Sequence, residues 1–244
     1  MVLERPPYEP VMAWQEAQMA DFAARREKMV RQIAGRGIEG TLLLEAFRSV
    51  PREQFVPEEL SEFAYEDSPL AIEAGQTVSQ PYIVALMIEA AGIAPGDRVL
   101  EIGAGSGYAA AVMSRVGAQV IAVERHPELV RLARERMGRL GLRNVRIVEG
   151  DGTGGLPDEA PFEAIVCAAS GSHVPDVLRR QLAIGGILVM PVGEPDAVQA
   201  LVKVTRRGED DFEHEDLGPV RFVPLIGAHG WADREGEREC PSRS

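Results

Sequence analysis

Short uninterrupted apolar runs alternate along this chain with stretches in which apolar residues recur every three or four positions. Residues 98–102 (RVLEI), 119–124 (QVIAVE), 145–151 (VRIVEGD) and 162–169 (FEAIVCAA) are the runs, each with the length and make-up of a buried strand. Their rhythm with the intervening segments is strand, helix, strand, helix, strand, strand. That order predicts a doubly wound parallel sheet whose ligand lies at the carboxyl ends of the strands.

The flanks read differently. Residues 13–33 form an amphipathic helix with Met19, Phe22, Val30 and Ile33 on one side and Arg25, Arg26, Glu27 and Lys28 on the other, closed by Gly35 and Gly37. A second helix starts at Thr41 as N-cap and runs to the break at Pro51. Residues 51–80 are irregular and rich in proline and turn residues, and a helix over 81–91 follows, with proline in its favoured first position. Ser79, just ahead of it, is either a cap or a residue whose hydroxyl points across the ligand turn. After the fourth run the pattern predicts a helix over 174–182, a strand over 187–193, an alternating strand over 198–207, a polar hairpin loop over 208–216 and a last strand over 218–225. The fold class expected is α/β: a mixed sheet of about seven strands, the last pair antiparallel, with added N-terminal helices and a disordered tail after Trp231.

Between the first run and its helix stands GAGSG, with Gly103, Gly105 and Gly107. Only backbone without Cβ turns so tightly and lets a ligand approach the main chain at a helix N-terminus. Dinucleotides and S-adenosylmethionine both use such turns. The dinucleotide fingerprint wants glycine at its sixth position, where this chain has Tyr108. Glycines one, three and five, preceded by Glu101, fit S-adenosylmethionine better, because a carboxylate there suits the ligand's positive end. Glu124, ending the second run, is placed to take both ribose hydroxyls, and Asp151-Gly152, ending the third, to meet the adenine amino group.

The chain has 244 residues, 45% of them apolar, which is ample for a core. Its net charge of −12 and the absence of any basic run beyond an Arg pair argue against a nucleic acid partner. No apolar run approaches a membrane span, and MVLERPPYEP carries no secretory leader, so a cytoplasmic protein with no membrane partner is expected. Cys167 lies within the fourth run and Cys240 in the polar tail, while the four histidines show no ligand spacing, so neither a disulfide nor a metal is expected.

Seven segments carry a family resemblance: residues 50–60 (VPREQFVPEEL), 64–67 (AYED), 75–82 (GQTVSQPY), 99–108 (VLEIGAGSGY), 149–152 (EGDG), 160–165 (APFEAI) and 221–225 (RFVPL). Together they resemble the protein-L-isoaspartate (D-aspartate) O-methyltransferase family, over about residues 33–226. The resemblance implies a Rossmann-like fold that transfers a methyl group from S-adenosyl-L-methionine to the α-carboxyl of L-isoaspartyl residues, the first step in repair of aged proteins. It makes Ser79 the active-site residue. It places cofactor contacts on Glu101, Gly103, Ala104, Gly105, Ser106, Gly107, Glu124, Arg125, Asp151 and Gly152, and the substrate groove on Val78, Gln80, Arg221 and Val223. Residues 1–80 become helices and a substrate-loop segment packed on a methyltransferase core of 81–231, with 232–244 a disordered tail, and the expected partners are isoaspartyl proteins or peptides bound by a monomer. Two stretches depart from the family pattern: AIEA at 71–74, where a PIG-type approach is usual, and AASGSHV at 168–174, where an AAP-type turn is usual. Two alternatives stay open, namely methylation of ordinary aspartate in a particular peptide and a non-catalytic S-adenosylmethionine-binding module.

Overall fold

Strand β3 (Arg98–Ile102) lies inside a seven-stranded sheet and carries the glycine turn at its carboxyl end. The computed structural model describes residues 9–233. Beside β3 run β4 (Gln119–Glu124) and, beyond it, β5 (Val145–Glu149); on its other side run β6 (Phe162–Cys167), β7 (Leu182–Val192), β8 (Gln199–Arg206) and β9 (Phe212–Val220). The order is β5-β4-β3-β6-β7-β8-β9. The first five strands are parallel, and β8 and β9 return antiparallel. This is the mixed doubly wound sheet that the apolar runs predict.

Successive residues of β3 serve opposite faces, as a pleated strand requires. Val99 joins the core under helices α1 (Glu9–Gly35), α2 (Thr41–Ser49), α3 (Pro81–Ala90), α4 (Tyr108–Val116) and α5 (Pro127–Arg139). Leu100 and Ile102 join a second core with Phe162, Ile165 and Leu178, the last on the short α6 (Asp176–Arg179). On the first face α5 buries Leu129, Val130, Ala133 and Met137, the side of a helix spaced at three and four.

Four local expectations are corrected. Gly40, not Thr41, is the N-cap of α2, and no side chain caps that helix. The helix over 174–182 shrinks to the four residues of α6, because β7 already begins at Leu182. The third strand stops at Glu149, before Asp151. The final strand is shifted: β9 occupies most of the expected loop, and residues 221–225 lie outside it. The irregular 51–80 segment holds three short 3-10 turns and a hairpin of β1 (Leu70–Ala71) with β2 (Thr77–Val78). The tail from residue 234 lies outside the described residues. Among these, no helix is long and apolar enough to cross a membrane.

Candidate active site

The glycine turn is fastened to the neighbouring strand. The amides of Gly103 and Ala104 both donate to the Val123 carbonyl, at 2.9 and 3.1 Å, and the Gly105 amide donates to Glu124 Oε2 at 2.8 Å. Glu124 Oε1 accepts the His126 amide at 2.9 Å, so this buried acid secures both the turn and the exit of β4. Gly107 opens α4 with φ +86°, and a Cβ on it would stand 2.8 Å from Met137 Cε. The φ is what calls for glycine there, because L-residues avoid it; the crowding is with the flexible end of Met137 and is secondary. Ala104 and Ser106 are buried in the same turn.

Glu101 sits one residue before the end of β3, 1% exposed, and its Oε2 has no hydrogen-bond partner. Burial raises its carboxyl well above the usual range, and the nearby Glu124 charge adds to the rise. An unpartnered buried carboxylate at the mouth of a nucleotide-type turn is the environment that a cationic ligand relieves. The donor set therefore fits the positively charged methionine end of S-adenosylmethionine.

Gly152 lies against β3: a Cβ there would come within 2.7 Å of Ile102 Cγ2. Asp151 beside it is already engaged. Its Oδ1 accepts the Thr153 amide and its Oδ2 the Ala228 amide, both at 2.8 Å. Desolvation pushes its carboxyl up, but these bonds outweigh that and hold it below the ordinary value. A cavity of about 470 Å³ opens here, lined by Arg125, Glu149, Asp151, Ile226, Trp231 and Asp233, among others. Arg125 forms an ion pair with Asp233 across it.

Ser79 is half-buried and its side chain caps nothing. The N-cap of α3 is Gln80, and the helix's Tyr82 amide is taken by Asp67 Oδ1 at 3.0 Å. Asp67 Oδ2 accepts Gln80 Nε2 at 2.9 Å and Arg36 Nη1 at 2.6 Å, while the Arg36 guanidinium lies 3.5 Å from the Tyr82 ring centre. The Ser79 carbonyl accepts Arg52 Nη2 at 2.8 Å. Val78 is buried opposite Leu70 in the hairpin. That hairpin leans on the cofactor turn: Ile72 Cδ1 would be 3.7 Å from a Cβ on Gly105, and Arg136 reaches both Glu73, at 3.6 Å, and the Ser106 carbonyl, at 3.3 Å. Ala74, in the departing AIEA stretch, holds φ +55°.

Val223 and exposed Arg221 lie in a segment tied to the end of β6. The Ser170 amide donates to the Val223 carbonyl, and the Ser170 carbonyl accepts the Leu225 amide, each at 2.8 Å. The structure thus gathers Glu101, the glycine turn, Glu124, Asp151 and Gly152 at the carboxyl ends of β3, β4 and β5, with the Ser79 hairpin against the turn. It shows no bond between Arg221 or Val223 and that hairpin among the described residues. Sequence reading gave no role to Arg52, Asp67, Arg36 or Arg136, although Arg52 and Asp67 stand in the quoted segments. The available signal is slight: Arg52 is followed by Glu53 and Gln54 in VPREQFV, a polar stretch that reads as solvent-exposed. Cys167 is buried and its thiol is pushed up to about 12, which suits packing and not nucleophilic attack. Among the described residues no three metal-ligating side chains cluster.

Comparison with known proteins agrees with this geometry. The family described as Protein-L-isoaspartate(D-aspartate) O-methyltransferase (PCMT) matches residues 24–230. Protein-L-isoaspartate O-methyltransferase 1 of Rhodopseudomonas palustris (strain HaA2) is 55% identical over 212 residues, 86% of this chain and 86% of that relative. The corresponding enzyme 2 of Pelobacter propionicus is 56% identical over 208 residues, 85% of this chain and 92% of that relative. Among solved structures, a protein-L-isoaspartate O-methyltransferase superposes with TM-score 0.77 at 32% identity, covering 84% of this chain and 67% of that one. A β-aspartate methyltransferase (PCMT) from Plasmodium falciparum, in complex with S-adenosyl-L-homocysteine, superposes with TM-score 0.72 at 27% identity, covering 82% and 98%. With the glycine turn, its two acids and the serine hairpin all in place, and with a match that runs from α1 to the segment after β9, this chain belongs to the protein-L-isoaspartate (D-aspartate) O-methyltransferase family.

Proposed function

We propose that the protein methylates the α-carboxyl of L-isoaspartyl residues in proteins and peptides, with S-adenosyl-L-methionine as donor. The observation that supports the reading is the seat of the Ser79 hairpin on the glycine turn, with Ile72 Cδ1 3.7 Å from where a Cβ on Gly105 would stand; on this reading Ser79 would meet the substrate beside the bound donor. When bound, S-adenosylmethionine supplies an electrophilic methyl group on a sulfonium.

The chain's own residues then divide the work. Glu101, buried and short of one hydrogen bond, would face the cofactor's ammonium end. Glu124 would take the ribose hydroxyls with lone pairs left over from its two amide bonds, and Asp151 and Arg125 would border the adenine in the cavity after β5, with Gly152 next to Asp151. Gly103 to Gly107 give main-chain access. Ser79 would donate to the substrate carboxylate, with Val78, Gln80, Arg221 and Val223 along the groove. On this reading the segment before residue 80 would supply the Ser79 part of the substrate side, while the core of 81–231 would hold the donor and add Arg221 and Val223 to the groove.

A carboxylate has a pKa near ~4, so it is already the nucleophile at neutral pH and needs no base. Holding its oxygen in line with the methyl group is the main task, and such positioning contributes on the order of 7–11 kcal/mol. Neutral donors such as a serine hydroxyl suit it, because the carboxylate charge disappears on reaction and strong ground-state binding of that charge would oppose turnover.

The test is transfer of label from S-adenosylmethionine to two peptides that differ only in an isoaspartyl or an aspartyl linkage. Labelling of the isoaspartyl peptide alone is expected. Labelling of the aspartyl peptide alone, or of neither, overturns the proposal.

A further inference from the structure

Arg52 is fully buried, yet no carboxylate pairs with it among the described residues. Its Nε donates to the Ala64 carbonyl and its Nη2 to the Ser79 carbonyl, both at 2.8 Å, while Nη1 has no partner. The guanidinium rests 4.6 Å from the ring centre of Tyr108, the first residue of α4 and the next after the glycine turn. Tyr108 is itself held edge-on by Phe55 and Phe47, and its buried hydroxyl interacts with the Arg52 guanidinium.

A cation in such a place is costly to desolvate, and an arginine stays charged even when burial lowers its affinity for the proton. A neutral side chain would tie two carbonyls together at less expense. What the charge adds is a stiffer bond, since hydrogen bonds from a charged donor are roughly twice as strong as neutral ones. The stiff bond falls on one peptide group. Arg52 fixes the carbonyl of Ser79, while Asp67 fixes the next side chain, Gln80, and the amide of Tyr82. Between these anchors the Ser79 hydroxyl makes no hydrogen bond of its own among the described residues.

We propose that Arg52 is a positioning residue for methyl transfer, acting through the Ser79 carbonyl to set where the Ser79 hydroxyl meets the substrate carboxylate. Tyr108 is the seat that places the guanidinium relative to the cofactor turn. The inference rests on the reading of Ser79 given above.

The test is a double-mutant cycle in the full-length protein: wild type, Ser79→Ala, Arg52→Lys and the double variant. kcat and KM are measured with an isoaspartyl peptide, S-adenosyl-L-homocysteine affinity by calorimetry, and the thermal midpoint alongside. Lysine keeps a charge but cannot hold both carbonyls in one plane. Arg52→Lys is expected to lower kcat by about tenfold or more in the wild-type background and less than about twofold in the Ser79→Ala background, with cofactor-product affinity held within about threefold. An equal loss in both backgrounds shows a merely structural role and overturns the proposal. Unchanged activity of Ser79→Ala removes the underlying reading of that serine instead. Should Arg52→Lys melt below the assay temperature, Arg52→Gln carries the same cycle, because it removes the buried charge along with its desolvation cost; the same two outcomes then decide.

Discussion

Glu101 and Glu124 stand on adjacent parallel strands, both buried; burial raises the proton affinity of the first, and the charge of the second adds to that rise. Because the folded value of Glu101 is raised, the ligand-free protein holds a proton there that the unfolded chain would release. Its contribution to stability is therefore lost as pH climbs from the ordinary carboxylate value into the raised one. A cationic cofactor end pulls the value back down. S-adenosylmethionine binding should thus release a proton and tighten as pH rises through that window. Calorimetry at mildly acidic pH, in two buffers of different ionisation enthalpy, should show a buffer-dependent heat in the wild type that Glu101→Gln loses. Equal heats in both buffers would count against the contact.

Glu124 serves two masters, the Gly105 amide and, in the proposed function, the ribose. Glu124→Ala should weaken S-adenosyl-L-homocysteine binding by about 1.5–3 kcal/mol, the scale of hydrogen bonds to a charged group. Unchanged affinity would leave Glu124 as an anchor of the turn alone.

Asp67 collects the Tyr82 amide, Gln80 and Arg36 on one carboxylate. Removing it with Asp67→Ala uncaps α3, at about 0.5–2 kcal/mol, and loosens the turn that carries Ser79. The expected kinetic signature is a fall in kcat/KM for the isoaspartyl peptide while cofactor affinity holds. Asp67→Asn retains an oxygen for the Tyr82 amide and should recover part of the loss; identical behaviour of the two variants would show that the cap is not what matters.

How far the sequence revealed this site depends on the range of the interactions. Residues 98–107 and 119–124 declare strand, turn and acid within a few positions, and their bounds match the structure closely. The first half of β9, residues 212–216, reads as a loop because FEHED has no apolar alternation. β9 is the outer strand, with most of its charged side chains exposed, and charges and a proline are what such an edge tolerates. RFVPL looks like a strand by composition, but Gln199 takes both the amide and the carbonyl of Phe222, and Ser170 pairs with Val223 and Leu225. No local pattern records partners so distant in sequence. Arg52 and Asp67 escaped for the same reason, since what they hold is main chain far along the sequence.

Gly152 tests the close packing beside Asp151, on the side of the site proposed for the adenine. Gly152→Ala drives a methyl group toward Ile102 Cγ2 at 2.7 Å, with Val123 also near, so neither neighbour can give way freely. Overpacking of this kind costs about 1–3 kcal/mol. For a chain of this size the thermal midpoint should fall by roughly 2–4 °C per kcal/mol, and S-adenosyl-L-homocysteine binding should weaken with it. A variant as stable as the wild type would mean that the end of β5 relaxes away from β3.

Cys167 offers a probe of the sheet itself. Its thiol is buried, donates to the Ala169 carbonyl at 3.3 Å, and is pushed up to about 12 by burial, with the Glu101 charge in support. The thiolate that reagents attack is therefore scarce, and reaching it requires β6 to part from its neighbours. In a Cys240→Ser background, which leaves Cys167 as the sole thiol, a thiol-specific disulfide reagent should react only as fast as the protein opens. Full reaction should appear at once in denaturant. Bound S-adenosyl-L-homocysteine should slow the native-state reaction further, because the ligand favours the closed sheet by mass action. Rapid labelling of the folded protein, unaffected by the ligand, would contradict the burial of this strand.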